Sequence, residues 1–164
     1  MGHQGVDTQT LEAYGHGLHA AQYEELATGL EPLGATPVRL QGRAVMVIAG
    51  HVLYPIRYAK ADVPVTVARL RRAAGLRFDL IRRHGPEPLQ EELDLGLQDT
   101  HAQEIHGDLS RLAPDVSLVL VAYACSMDRG VMRLEWGIAE VLPDRCLLWH
   151  HHEPLPLPDR PTLA

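Results

Sequence analysis

Apolar and polar residues recur at different periods along the chain, and the changes of period divide it into segments. Over residues 8–30 (TQTLEAYGHGLHAAQYEELATGL), Leu11, Tyr14, Leu18 and Ala21 stand at helical spacing, with Asp7 or Thr8 as the N-cap. Gly15 and Gly17 weaken the first turns, so the helix is expected to begin nearer Leu18, and Gly29, Pro32 and Gly34 end it. Three strand-like runs follow, TPVRLQ, AVMVIAG and HVLYPIRYA, read as short antiparallel strands. The middle run is apolar on both faces, as in a central strand. The last alternates Val52, Tyr54, Ile56 and Tyr58 with His51, Leu53, Pro55 and Arg57. Proline has no N–H for a ladder, so this strand is expected at an edge or at a bulge.

Residues 64–84 return to a helical period, with Pro64 in the first turn. A step of 100° per residue puts Val67, Leu70, Ala74, Phe78 and Ile81 on one side and Arg69, Arg71, Arg72, Arg82 and Arg83 on the other. Two residues disturb the pattern. Arg77 falls within the apolar arc, and Gly75 is a natural break that would point the two arginine clusters in different directions. The Pro-flanked acidic stretch from Gly85 to Asp115 reads as a loop and a short helix from about Asp99 to Leu112.

The C-terminal third reads as a three-stranded meander. SLVLVAYAC, VMRLEWGIAEV and CLLWHHH are joined by SMDRG and LPDR, which carry turn residues where hairpins need them. Met132, Leu134, Trp136 and Ile138 are expected on its buried face, opposite Arg133, Glu135 and Gly137. With Pro143 and Asp144 as central turn residues, Gly137 faces His150 and Glu135 faces His152. The same register separates Cys125 from Cys146 by on the order of 30 Å, too far for a disulfide.

These elements predict an α+β fold: antiparallel sheet or sheets, with the C-terminal meander, packed against the helices of residues 8–30 and 64–84. Residues 1–153 form a single domain and residues 154–164, EPLPLPDRPTLA being proline-rich from Glu153 on, a C-terminal tail. The apolar share of 46% and the charged share of 22% fit an independently folding globular chain. No apolar run is long enough to span a bilayer and no signal peptide opens the chain, which predicts a cytoplasmic protein without a membrane. Lys60 is the only lysine among 15 basic residues, a bias that matches a GC-rich bacterial genome.

The distribution of charge changes the picture more than its total. From Arg39 to His84 there are ten Lys/Arg against two acids, a local +8, while the remainder carries five against nineteen, −14, within a net charge of −6. A basic middle flanked by acid points to an anionic partner or an internal match. The arginine helix, through Arg69, Arg71, Arg72, Arg82 and Arg83, is read as the partner-binding face of a non-catalytic binding or accessory protein. An acidic protein surface or a second copy suits it better than nucleic acid, because the chain is acidic overall and its arginines are not interleaved with stacking aromatics.

Two constellations support the alternative of an enzyme acting on a phosphate-bearing or nucleic-acid substrate. Glu135, His150 and His152 share a sheet face in the register above, where a carboxylate and two imidazoles could do acid/base work. His101, Glu104 and Asp108 stand at i, i+3 and i+7 on one side of the short helix, a donor set suited to a metal. Neither matches HExxH, and no Walker loop or GxGxxG is present, so no cofactor is specified.

Overall fold

The computed structural model describes residues 22–89 and 107–157. Within them, six strands form one sheet in chain order: β1 (Thr36–Leu40), β2 (Arg43–Ile48), β3 (His51–Ala59), β4 (Ser117–Ser126), β5 (Gly130–Val141) and β6 (Leu147–Pro154). Every neighbouring pair is antiparallel except β3 and β4, which are parallel. The expectation of a purely antiparallel arrangement is corrected: the sheet is mixed. Hairpins join the first three strands and the last three, but the chain between Ala59 and Ser117 is long enough to cross over and re-enter in the same direction. The C-terminal meander β4–β5–β6 forms as expected.

Helix α1 occupies residues 22–30, and the expected positions Leu11, Tyr14, Leu18 and Ala21 lie outside the described residues. The continuous helix expected over 64–84 is not formed. In its place stand a 3-10 turn, Val65–Val67, an irregular stretch, and helix α2, Leu76–His84. Gly75 breaks the rod with φ 94° and ψ −178°, a conformation essentially confined to glycine. Upstream, the backbone is taken by the sheet instead. Leu147 N–H donates to Ala68 O, Leu70 N–H donates to Arg145 O, and Arg69 bridges Cys146, so residues 68–70 pair beside the start of β6. Val67, expected to be buried, is 56% exposed.

The main core lies between one sheet face and α2. It combines Val52, Tyr54 and Ile56 of β3 and Leu118, Leu120 and Ala122 of β4 with Leu76, Leu80 and Ile81 of α2. At the end of α2, buried His84 presents Nδ1 at 2.7 Å to Val116 O, tying the helix end to the residue before β4. His84→Ala removes that donor from a buried carbonyl and should cost about 2 kcal/mol in a urea titration.

The face expected for β5 is reversed. Glu135, Gly137 and Ala139 are buried, whereas Met132, Leu134, Trp136 and Ile138 are half-buried. The indole of Trp149 explains this, since it lies where a Gly137 side chain would be, with two ring carbons 2.7 Å from an ideal Cβ. A bulge between Ile138 and Ala139 also shifts the register, pairing Gly137 with His152 and Glu135 with Pro154.

Pro55 is buried in β3, which has neighbours on both sides. It is accommodated because β2 pairs only with His51–Leu53, so that ladder has ended before the proline. Beyond Leu53 the two strands part, and their separation positions the candidate site.

Candidate functional site

A cavity of about 1090 Å³ opens where β2 and β3 part. Its walls are the β1–β2 turn, the C-terminal half of β3, the irregular residues 68–72 and the first turn of α2. Seven cationic side chains line it: Arg43, Arg57, Lys60, Arg69, Arg71, Arg72 and Arg77. Among the described lining residues there is no Asp or Glu. Arg69 Nε donates to Asp144 O at 3.0 Å and Arg43 stands 5.7 Å over the Tyr23 ring, both uncharged partners. Among the described residues none of the seven forms a salt bridge.

The tyrosines around the cavity do not supply the missing negative charge. Tyr23 and Tyr54 meet edge to face at 6.1 Å. Burial, reinforced by Tyr54, holds the Tyr23 phenol far above its usual value of 10.0, despite the opposing influence of Arg77. Burial likewise raises the phenol of Tyr123, a core residue outside the cavity lining, against Arg77 and Arg57. Raised folded values favour the neutral phenol, so the associated stability is complete below about pH 10 and is lost as pH rises beyond it. Urea midpoints should therefore fall above pH 10, and fall less steeply in a Tyr23→Phe/Tyr123→Phe variant.

Of the five arginines expected on one helix face, Arg69, Arg71 and Arg72 line the cavity from the irregular segment. Arg82 and Arg83 are exposed on α2 outside it, with Arg82 5.5 Å over the Phe78 ring. The break at Gly75 separates the two groups. Sequence reasoning missed Arg43, Arg57, Lys60 and Arg77, although Arg77 had already stood out as a charge within an apolar arc.

The histidine cluster divides into separate pairs. His152 Nδ1 lies 2.9 Å from Glu135 Oε1, while His150 Nε2 lies 2.6 Å from Glu140 Oε2. His151 meets Glu153 at 3.0 Å. Glu135 meets His152, as expected of residues sharing that sheet face, but His150 turns to Glu140, so the three do not converge. Glu140 Oε2 also accepts from Leu89 N–H at 2.8 Å.

Of the proposed metal set, His101 and Glu104 lie outside the described residues. Asp108 Oδ2 accepts from Gln41 N–H at 2.7 Å, fastening the 3-10 turn Gly107–Arg111 to the β1–β2 turn. Among the described residues no three His, Cys, Asp or Glu side chains are grouped to hold a metal. Cys125 and Cys146 are both free thiols. No described helix is long and apolar enough to cross a membrane.

Comparison of the chain with protein-family models, curated proteins and solved structures finds no match. The chemistry of the cavity must therefore be read from its own residues.

Proposed function

We propose that the protein is a non-catalytic binding protein that receives the negative groups of an anionic partner in the cavity beside β3. One observation carries this reading: seven cations converge on a concavity with no described carboxylate, in a protein whose net charge is −6. Two like charges about 8 Å apart repel by about 0.5 kcal/mol in water, so an entering anion relieves several small repulsions at once. The cations line a hollow rather than a flat helix face, so the partner must insert a protruding group. The overall acidity of the chain disfavours indiscriminate adsorption of polyanions and leaves this concavity as the attractive region.

Fluorescence anisotropy with labelled hexaglutamate tests the reading. Binding is expected at low ionic strength, falling with salt, and weakened at least tenfold by Lys60→Ala/Arg71→Ala/Arg72→Ala. The Arg82→Ala/Arg83→Ala variant should bind as the unmodified protein does. No binding of hexaglutamate or of any other polyanion, or equal loss in both variants, would contradict the proposal.

A second reading, an enzyme acting on a phosphate-bearing substrate, is favoured by the Glu135–His152 pair. A buried carboxylate that engages Nδ1 orients the imidazole with Nε2 outward, as general-base catalysis requires. Hydrolysis of p-nitrophenyl phosphate, abolished by His152→Asn, would support it; no turnover would remove it.

A further inference from the structure

We infer that the cavity binds an oligophosphate chain, free or carried by a nucleotide; the inference rests on the anion-binding reading above. Size is the first reason. At about 1090 Å³ the cavity lies at the upper end of small-ligand sites, which run to roughly 1,000 Å³. A folded protein partner covers a broad face of about 800 Å² per side instead.

The cations themselves discriminate among anions. Six of the seven are arginine, whose planar fork grips two phosphate oxygens at once. A triphosphate concentrates several charges and many acceptor oxygens on three linked phosphorus atoms. Peptide carboxylates are spread along a chain at about 3.3 Å per residue and point alternately to opposite sides when it is extended. To bring several of them against Arg57 and Arg77, a peptide would have to carry its own N–H and C=O groups into the hollow. Leaving those groups unpaired is costly.

Helix α2 adds donors of the same preference. Gly75, Leu76, Arg77 and Phe78 all line the cavity, and no side chain caps the helix. The first bond of the helix runs from Asp79 N–H to Gly75 O at 3.0 Å. The amides of residues 76–78 precede it and have no intrahelical acceptor. Amides at a helix start, beside Arg71, Arg72 and Arg77, suit phosphate oxygens. Glycine at position 75 lets the backbone turn into this arrangement, since its φ of 94° is strained for any residue with a Cβ.

Aromatic stacking contributes little to the recognition. Tyr23 and Tyr54 are 6% and 5% exposed and meet edge to face. Arg43 covers the Tyr23 ring and Arg82 the Phe78 ring. Tyr58 also lines the cavity, half-buried and with its hydroxyl donating to Val63 O at 2.8 Å. A nucleotide should be held chiefly by its phosphates.

Isothermal titration calorimetry at low ionic strength without divalent metal separates the outcomes, using tripolyphosphate, ATP, orthophosphate and hexaglutamate. Tripolyphosphate and ATP should bind within threefold of each other and at least tenfold more tightly than the other two. Arg77→Ala and Gly75→Ala should each weaken tripolyphosphate at least fivefold, with circular dichroism confirming that each variant is folded. If Gly75→Ala does not fold, Arg77→Ala decides the point. Hexaglutamate binding as tightly as tripolyphosphate would overturn the oligophosphate inference and leave the anion-binding reading standing. ATP binding more than tenfold more tightly than tripolyphosphate would overturn recognition through the phosphates alone. Affinity unchanged in Arg77→Ala would overturn the location, and no binding of any anion would remove both proposals.

Discussion

A Gly137→Val variant is expected to lose at least about 3 kcal/mol of stability. An ideal Cβ at this position lies 2.5 Å from His151 O and 2.7 Å from two carbons of the Trp149 ring. The carbonyl belongs to the β5–β6 ladder and cannot retreat without disturbing it. The indole is held too, because its Nε1–H donates to Val65 O at 3.0 Å. Relief of the clash therefore strains the sheet or releases the 3-10 turn leading to the cavity wall. Urea unfolding at neutral pH measures the loss. Gly29, with nothing within 4 Å of its ideal Cβ, provides the control, since Gly29→Ala should change stability by less than about 1 kcal/mol.

Charge reversal at the rim should have the largest effect on binding. Arg71 and Arg72 are exposed and make no ion pair among the described residues, so Arg71→Glu/Arg72→Glu should fold normally. The Arg71 carbonyl, which accepts from Arg145 Nη1, is unaffected by a change of side chain. Each reversal alters the charge facing tripolyphosphate, a tetravalent anion at neutral pH, by two. At about 8 Å in water this amounts to about 4 kcal/mol unscreened, and to about 1.5 kcal/mol at physiological ionic strength. The pair should reduce tripolyphosphate affinity about two-hundredfold near 0.15 M salt and more at lower salt. Equal affinity would exclude both arginines from the binding surface.

The C-terminal meander was legible because its apolar runs are separated by SMDRG and LPDR, turn sequences whose effect is local. Which face of β5 is buried was not. Met132, Leu134, Trp136 and Ile138 form the more apolar set, but the missing side chain of Gly137 admits Trp149 from another strand. The bulge after Ile138 then moves the histidines relative to Glu135. Similarly, the period of residues 64–74 predicted a helix whose backbone is instead occupied by Arg145 to Leu147, some 75 positions away. No local pattern encodes that contact. Two local signals did carry the information. Gly75 marked the break, and Arg77 marked a charge with a destination other than the solvent-facing side of a helix.

Pro55 links sequence to site most directly. Its missing donor was legible as a sign of an edge or bulge. The strand proved to be interior, with a register irregularity against β4 between Arg57 and Ala59, yet its pairing with β2 ends at Leu53, and from that point Arg43 and Arg57 line a shared cavity.

The central claim can be tested at the guanidinium groups themselves. In a nitrogen-15 NMR titration with tripolyphosphate, the side-chain Nε–H signals of Arg57, Arg71, Arg72 and Arg77 should shift together and saturate with one dissociation constant, while those of Arg82, Arg83 and Arg129 stay in place. Signals that do not move, or that drift equally for all arginines without saturating, would contradict a binding cavity beside β3.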